Sequence, residues 1–344
     1  LGTIYTPDLT RLLDEDKSIL DGAVAGWNAP YITYQAETLR RALALAEEAY
    51  DGQGQGRVLN LAISPAVEVQ VKVFKNTEGR KKRILVHTEN YGQSFWVNPD
   101  KPSRFPHPLL QHIIARARLP EGLKLEVNLF SPVPAGISTG TSASVCVALL
   151  GALTFLGPKR LPLEEIVSQA HRVETEDLKQ QSGIQDQICA AYGGVCFIHL
   201  PRYPQARVEN VALKPRIRDE LDRRLCLVYL GKPHLSSAMH ERVIGRLEKR
   251  GPERNTLERM KRLPAAARAH LLAGDLESYG EITVKNNECQ RALYAQLVSK
   301  EADAVIAVAK KLGASGWKVN GAGRKGGSLT IMASQDVGLR RRML

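Results

Sequence analysis

Short stretches of the chain alternate between apolar and polar residues. From Val67 to Val73 the valines alternate with polar residues, and residues 123–129 repeat the same pattern. An alternation of period two predicts strands with one buried face. Three further strands are predicted from the apolar runs Val195 to Leu200, Leu225 to Leu230 and Ser328 to Met332.

Longer stretches repeat apolar residues at helical spacing, which predicts helices. They cover Glu37 to Tyr50, Ser142 to Leu156, Pro162 to Leu178, Asn255 to Ala273 and Ala302 to Leu312. Pro264 is expected to interrupt the helix of residues 255–273. Strands and helices mix without strict βαβ alternation. The pattern therefore favours an α+β protein with antiparallel sheet over a doubly wound fold.

The segment Asp51 to Gly56 alternates glycine with glutamine after the first predicted helix. Such a run ends a helix and is typical of a linker. Residues 1–56 are therefore predicted to form an N-terminal extension and linker, and the motifs with candidate chemistry all follow them.

Composition and charge narrow the function classes. The formal net charge is +12, with basic clumps at residues 80–83 and 340–342. The chain lacks the basic stretch with interleaved aromatics that is typical of RNA binding, so we expect no nucleic-acid partner. A basic surface is the first interpretation of the charge, and an anionic ligand is the second.

The five cysteines form no C-x-x-C pair, and several lie in apolar runs. This usage is typical of reduced, buried thiols and argues against a structural zinc site. No apolar stretch reaches the roughly 18 residues that suggest a membrane span, and no secretory leader pattern is present. We therefore expect a cytoplasmic protein with no membrane partner. The pattern leaves its oligomeric state open.

The first candidate site is the loop of small residues Pro132 to Ser144, between a predicted strand and an apolar helix. A helix N-terminus carries unpaired backbone amides and binds phosphate well. Gly136 and Gly140 allow close backbone approach, and the hydroxyls of Thr141 and Ser142 can reach an anion or a magnesium ion. The alternative is an ordinary N-terminal cap. It is not a Walker A loop, since the G-x-x-x-x-G-K-[ST] pattern is missing.

The second candidate site contains two carboxylates. Asp186 lies between a turn and an apolar run, where it could cap a helix or act as the base that a kinase needs beside its acceptor hydroxyl. Glu174 falls on the apolar stripe of its predicted helix, where a carboxylate is costly unless it is paired or metal-bound. Glu176 points the opposite way and is interpreted as a surface charge.

The third candidate site is the glycine-rich segment Lys318 to Ser328. Four glycines between residues 321 and 327 suggest backbone packed closely against a phosphate or against the first loop. The alternative is a glycine-rich hairpin that leads into the last strand. Lys318, Arg324 and Lys325 could add positive charge near a phosphate.

These three segments, in this order, resemble the GHMP kinases. Pro134 to Ser142 resembles the family motif P-x-G-x-G-L-G-S-S, with departures at Ser138, Thr139 and Thr141. The resemblance implies an α+β fold with two lobes, residues 57–205 and 206–344, and a cleft between them. It also implies ATP and Mg²⁺ as cofactors, with Asp186 as the catalytic residue and with Ser142 and Glu174 on the metal. The nucleotide-binding residues it implies are Pro134, Gly136, Ser138, Thr139, Gly140, Thr141, Ser142, Gly321 and Gly323.

Within this family, Gln181 to Phe197 and Arg57 to Ile63 are similar to the branch of heptose 7-phosphate kinases and L-fucose kinases. That similarity implies transfer of the γ-phosphate of ATP to the anomeric hydroxyl of a sugar or sugar phosphate. The family's first glycine-rich motif, expected just before Val58, has only residues 52–57 in its place, and Arg57 is a candidate substitute.

Two other functions stay open at this point. A GHMP kinase that acts on a mevalonate-type acid would suit the basic charge. A catalytically silent binding protein would suit the incomplete first motif, whereas the presence of both Glu174 and Asp186 argues against it.

Overall fold

The first half of the chain builds one large mixed sheet. The computed structural model describes residues 23–34, 56–102, 106–131, 133, 136–157, 160–180, 182–231, 243, 247, 253–321 and 326–343, and for 23–34 the backbone alone. The strands are β1 (Ala23–Tyr34), β2 (Gly56–Lys75), β3 (Ile84–Thr88), β4 (Gln93–Val97), β5 (Leu123–Phe130), β6 (Val195–Arg202) and β7 (Gln205–Asn210).

The order of the large sheet is β4-β3-β5-β2-β6-β7, and β1 pairs with β2 off this path. The pair β3 and β5 is parallel, while the other neighbours run antiparallel. The predicted α+β class is therefore confirmed. Strand β1 lies within the predicted N-terminal extension, where the sequence indicated no strand. The predicted helix over residues 37–50 lies outside the described residues.

Strand β2 is long because its sequence suits two successive partners. Residues 56–61 pair with β6, and residues 68–75 pair with β5. The four valines from Val67 to Val73 are at most 1% exposed. Burying each valine side chain stabilises the fold by about 2 kcal/mol. The predicted alternation is confirmed here and in β5, where every second residue from Leu123 to Leu129 is buried.

Four helices cover the buried face of the large sheet: α1 (Pro108–Arg116), α2 (Thr141–Thr154), α3 (Leu163–Arg172) and α4 (Gln185–Tyr192). Helix α2 is apolar all round, and its residues are buried from Ser144 to Thr154 with the exception of Val145. A helix of this kind belongs inside a protein. It packs between the sheet and helices α1, α3 and α4, and these contacts hold the helix in place.

The second half of the chain builds a smaller sheet with a helical layer. Its elements are α5 (Pro215–Arg224), β8 (Leu225–Tyr229), α6 (Glu253–Ala273), α7 (Leu276–Leu293), α8 (Lys300–Lys311), β9 (Gly316–Val319), β10 (Ser328–Met332) and α9 (Val337–Met343). The sheet order is β8-β10-β9, with both pairs antiparallel. The predicted division into lobes after residue 205 stays a prediction.

Pro264 does not interrupt its helix, so that prediction is wrong. Helix α6 runs without a break from Glu253 to Ala273. The residues beside the proline, Leu263 and Ala265 to Ala267, all pack in one hydrophobic cluster with α7. This tertiary packing offsets the hydrogen bond that a proline removes from a helix.

A shared hydrophobic cluster joins the two halves. Leu59, Leu61 and Phe197 of the large sheet pack with Leu271 and Tyr279 of α6 and α7. All five cysteines are free, and four of them are buried, as their apolar surroundings indicated. In the described part of the chain, no helix combines the length and the apolar content that crossing a bilayer requires.

Candidate active site

The loop between β5 and α2 turns sharply onto the helix N-terminus. Gly136 and Gly140 have φ angles of 77° and 66°, and Ser138 adopts 63°. Glycine adopts these left-handed angles without strain, whereas serine does so at a cost. The hydroxyls of Thr139 and Thr141 lie 3.4 Å apart. The loop therefore presents backbone amides and hydroxyls at the positive end of a helix of 14 residues. Pro134 lies outside the described residues.

The glycine-rich segment after β9 packs against this loop. A Cβ atom built on Gly321 would lie 2.9 Å from the Cβ atom of Ser138. The Ser328 hydroxyl donates a hydrogen bond of 2.6 Å to the Ile137 carbonyl. The interpretation that this segment lies close to the first loop is confirmed. Gly323, Arg324 and Lys325 lie outside the described residues, and Lys318 is buried with its ammonium 3.0 Å from the Val319 carbonyl.

Replacing Gly321 by alanine is expected to lower the free energy of unfolding by about 2–3 kcal/mol, which urea denaturation would measure. About 1 kcal/mol comes from a non-glycine residue at a φ of +56°. The rest comes from the contact with Ser138. The matched control is Gly79→Ala, because Gly79 has a φ of +58° and nothing within 4 Å of its Cβ position.

In a Ser138→Gly background, the extra cost of Gly321→Ala should fall to that of Gly79→Ala, because the opposing Cβ atom is gone. Equal costs for the two alanines in the wild-type protein would contradict the close packing of the two segments.

The carboxylate of Glu174 is buried and held by three donors. Its Oε2 atom accepts hydrogen bonds from the Ser182 hydroxyl at 2.6 Å and from the Gln187 amide at 2.8 Å. The Ser142 hydroxyl bonds the same carboxylate. Burial raises the pKa of Glu174, and the three hydrogen bonds oppose that rise. The structure therefore brings Ser142 and Glu174, the two residues that the resemblance implied for a metal, into direct contact.

A π-helical turn, Val173–Asp177, aims Glu174 inward. This turn continues α3, whereas the sequence predicted an unbroken α-helix to Leu178. Turns of the π type occur often at functional sites. Arg116 of α1 clamps the turn through two bonds to Asp177, at 2.6 and 2.8 Å. Glu176 is exposed and paired with Arg172, which confirms its interpretation as a surface charge.

Asp186 lies in the first turn of α4, half-buried. The side chain of Asn60, in β2, donates a hydrogen bond of 3.1 Å to the carbonyl of Gln185 and so fixes the start of this helix. Helix α4 packs directly against α2. Gln187 follows Asp186 and bonds Glu174, so the helix that carries Asp186 is tied to the Glu174 carboxylate.

Sequence reasoning missed the donors that hold these acids. Ser182 and Gln187 were not selected, although both flank Asp186 within a few residues. Asn60 entered the sequence analysis only as part of the segment Arg57 to Ile63. A lone amide inside this apolar run does indicate a buried hydrogen-bond partner, because buried amides need partners. Arg57 lies in β2 opposite His199, and its role as a substitute stays a prediction.

The donor set fits a magnesium ion. Mg²⁺ prefers oxygen ligands and is typically held by one or two protein groups together with substrate phosphates. The Ser142 hydroxyl and the Glu174 carboxylate supply such oxygens beside a phosphate-binding helix terminus. These two residues would therefore hold the ion between the loop and the π turn.

Residues 109–194, which include the loop, Glu174 and Asp186, match the family of the GHMP kinases N terminal domain. This match shows that residues 109–194 are similar to the N-terminal domain of the GHMP kinases, and together with the fold and the site it supports a phosphotransferase enzyme. Over 280 residues the chain is 26% identical to the D-glycero-alpha-D-manno-heptose 7-phosphate kinase of Campylobacter jejuni, which covers 79% of this chain and 80% of that protein.

Other relatives share the fold and act on different substrates. The mevalonate kinase of Methanothermobacter thermautotrophicus is 28% identical over 213 residues, which cover 60% of this chain and 63% of that protein. The crystal structure of a D-glycero-D-manno-heptose 1-phosphate kinase from Bacteroides thetaiotaomicron superposes with a TM-score of 0.67. It is 19% identical and covers 93% of this chain and 90% of that chain, a likeness that shows the fold.

Proposed function

We propose that this protein transfers the γ-phosphate of ATP to the anomeric hydroxyl of a sugar or sugar phosphate, with a heptose 7-phosphate as the first candidate substrate. The observation that carries the proposal is the contact of Ser142 with Glu174 at the N-terminus of α2. Helix α2 also packs against α4, the helix that carries Asp186. The choice of a sugar over another acceptor follows the Campylobacter relative, whose similarity extends over most of both chains.

In this proposal, the backbone amides from Gly136 to Ser142 hold the phosphates of the nucleotide. Gly321 lets the second glycine-rich segment close over the loop, since any larger residue would collide with Ser138. Bound Mg²⁺ supplies positive charge that neutralises the phosphate oxygens. The protein contributes mainly positioning and charge stabilisation, as is general for phosphoryl transfer.

Asp186 is proposed to orient the acceptor hydroxyl and to take its proton as the phosphoryl group moves to the hydroxyl oxygen. The bond between that oxygen and the γ-phosphorus forms, and the bond to the β,γ-bridging oxygen breaks, with ADP as the leaving group. Asn60 holds the backbone of the first turn of α4, on which Asp186 lies.

The test is ADP release from ATP with D-manno-heptose 7-phosphate, L-fucose, D-mannose, D-galactose and mevalonate as separate acceptors, with and without Mg²⁺. We expect kcat/KM for one sugar acceptor to exceed that for mevalonate by roughly tenfold or more. Phosphorus NMR of the product should then give the signal of an anomeric phosphate. The Asp186→Asn variant is the control for background hydrolysis.

Each other outcome names a different function. Turnover of mevalonate alone would support an acid kinase, which the similarity to the Methanothermobacter enzyme also favours. Binding of nucleotide and sugar without ADP release would support a silent binding protein and would contradict the proposal.

A further inference from the structure

Two successive hydrogen bonds connect the Glu174 carboxylate with Tyr203, which lies outside the active site. The Tyr203 hydroxyl donates to the carbonyl of Ser182 at 2.9 Å. The hydroxyl of Ser182 then donates to Glu174 at 2.6 Å. Nε2 of His171 lies 2.5 Å from the Tyr203 hydroxyl and 3.4 Å from the Ser182 carbonyl.

Tyr203 and His171, where these hydrogen bonds start, line a cleft of about 830 Å³ that is formed by α3, the outer side of the π turn, α4 and the β6–β7 hairpin. Tyr203 and His171 form one wall, with their rings edge to face at 5.5 Å between centroids. Ile188 of α4 and Ile184, the residue just before that helix, form another wall. The phosphate-binding loop contributes no lining residue to this cleft in the described part of the chain.

Ser182 links the two regions because its two polar groups point to different partners. Its carbonyl is anchored to the wall of the cleft, and its hydroxyl is anchored to the carboxylate. It lies between the π turn and α4, four residues before Asp186. The position of the Ser182 backbone therefore controls where its hydroxyl meets Glu174. Gln187 donates to the same oxygen, and two donors on one oxygen fix the rotamer of the carboxylate.

We propose that Tyr203 is a positioning residue for the metal site, which acts on Glu174 through Ser182. This inference rests on the proposed function, since it takes Glu174 as a magnesium ligand. Groups that hold a metal ligand in place set its geometry, and their loss typically costs about 10- to 100-fold in metal affinity. Ser182 contacts the ligand directly, and Tyr203 is one step further away. We therefore expect about a tenfold loss for Ser182→Ala and roughly a 3- to 10-fold loss for Tyr203→Phe.

The experiment measures Mn²⁺ binding by electron paramagnetic resonance of the free ion, on the full chain with the non-hydrolysable nucleotide AMPPNP. Tyr203→Phe removes one oxygen and keeps the ring against His171. The matched control is Tyr192→Phe, because Tyr192 lines the same cleft but donates to Glu164 at its edge, at 2.6 Å. We expect weaker Mn²⁺ binding in Tyr203→Phe and unchanged binding in Tyr192→Phe, with similar thermal midpoints.

A double variant tests the route. If Tyr203 acts through the Ser182 hydroxyl, adding Tyr203→Phe to Ser182→Ala should cause no further loss of Mn²⁺ affinity. Full additivity of the two losses would overturn the proposed route. Equal Mn²⁺ affinities in Tyr203→Phe and Tyr192→Phe would overturn the role of Tyr203.

Glu174→Gln separates this inference from the proposed function. Loss of Mn²⁺ binding in Glu174→Gln, with normal binding in Tyr203→Phe, would overturn the positioning role alone. Normal Mn²⁺ binding in Glu174→Gln would overturn the metal site and the inference together.

Discussion

Replacing Asp186 by asparagine is expected to lower kcat by about 10³-fold or more, with little change in the KM for ATP. The amide keeps the size of the side chain but cannot take the proton of the acceptor hydroxyl, and positioned bases contribute about 10²- to 10⁴-fold. The proposed nucleotide contacts lie on the loop before α2 and at the start of that helix, so binding of ATP should persist. Steady-state ADP release with the preferred acceptor measures both constants.

The control for this prediction is Asp222→Asn, because Asp222 is exposed on α5, in the second half of the chain. It should leave kcat and KM unchanged. Thermal unfolding should give both variants a midpoint close to that of the wild-type protein. A kcat of Asp186→Asn within a factor of about ten of the wild-type value would contradict the role of Asp186 as the base.

Replacing Glu174 by glutamine is expected to have two opposite effects. Turnover should fall by about 10²-fold or more, because the amide removes the charge that would hold Mg²⁺ beside the phosphates. The metal-free protein should become more stable at neutral pH, by about 1 kcal/mol. The second effect follows from burial, which raises the pKa of this carboxyl in the folded protein.

The sign of the pH dependence follows from this raised pKa. The folded protein binds the Glu174 proton more tightly than the unfolded chain does. The free energy of unfolding therefore falls as pH rises from 4.5, the ordinary pKa of a glutamate, through the raised pKa of the folded protein. Glutamine does not titrate. The stability gain of the variant should therefore be larger at pH 8 than at pH 5, as measured by urea unfolding in the presence of a chelator.

Glu176→Gln is the matched control for this second prediction. Glu176 lies two residues further on, and its pKa is lowered by the hydrogen bond from Arg172. Its replacement should leave turnover unchanged and should not stabilise the protein. If Glu174→Gln were less stable than wild type at every pH, the three hydrogen bonds to the carboxylate would outweigh the cost of its burial.

Local pattern predicted nine of the nineteen described strands and α-helices, namely β2, β5, β6, β8, β10, α2, α3, α6 and α8. The valines of β2 and the leucines of β5 are buried at every second position, as predicted, because the period of a strand is two residues and needs no distant information. Helix α2 and the loop before it were predicted for a similar reason, since small residues ahead of an apolar run mark a helix start. Pro264 was misjudged because packing of α6 against α7 overrides a local preference.

The amino-acid sequence by itself determined the strongly patterned strands and helices and the identity of the three chemical segments, because each of these depends on neighbours along the chain. Strands β1, β3, β4, β7 and β9 and helices α1, α4, α5, α7 and α9 were not predicted from it. The tertiary structure alone decided how those segments meet. Ser142 bonds Glu174 across 32 residues of sequence, and Gly321 lies against Ser138 across 183 residues of sequence. The π turn and the link from Tyr203 to Ser182 also arise only in the folded protein, since they require backbone and side chains from separate elements to share one small volume.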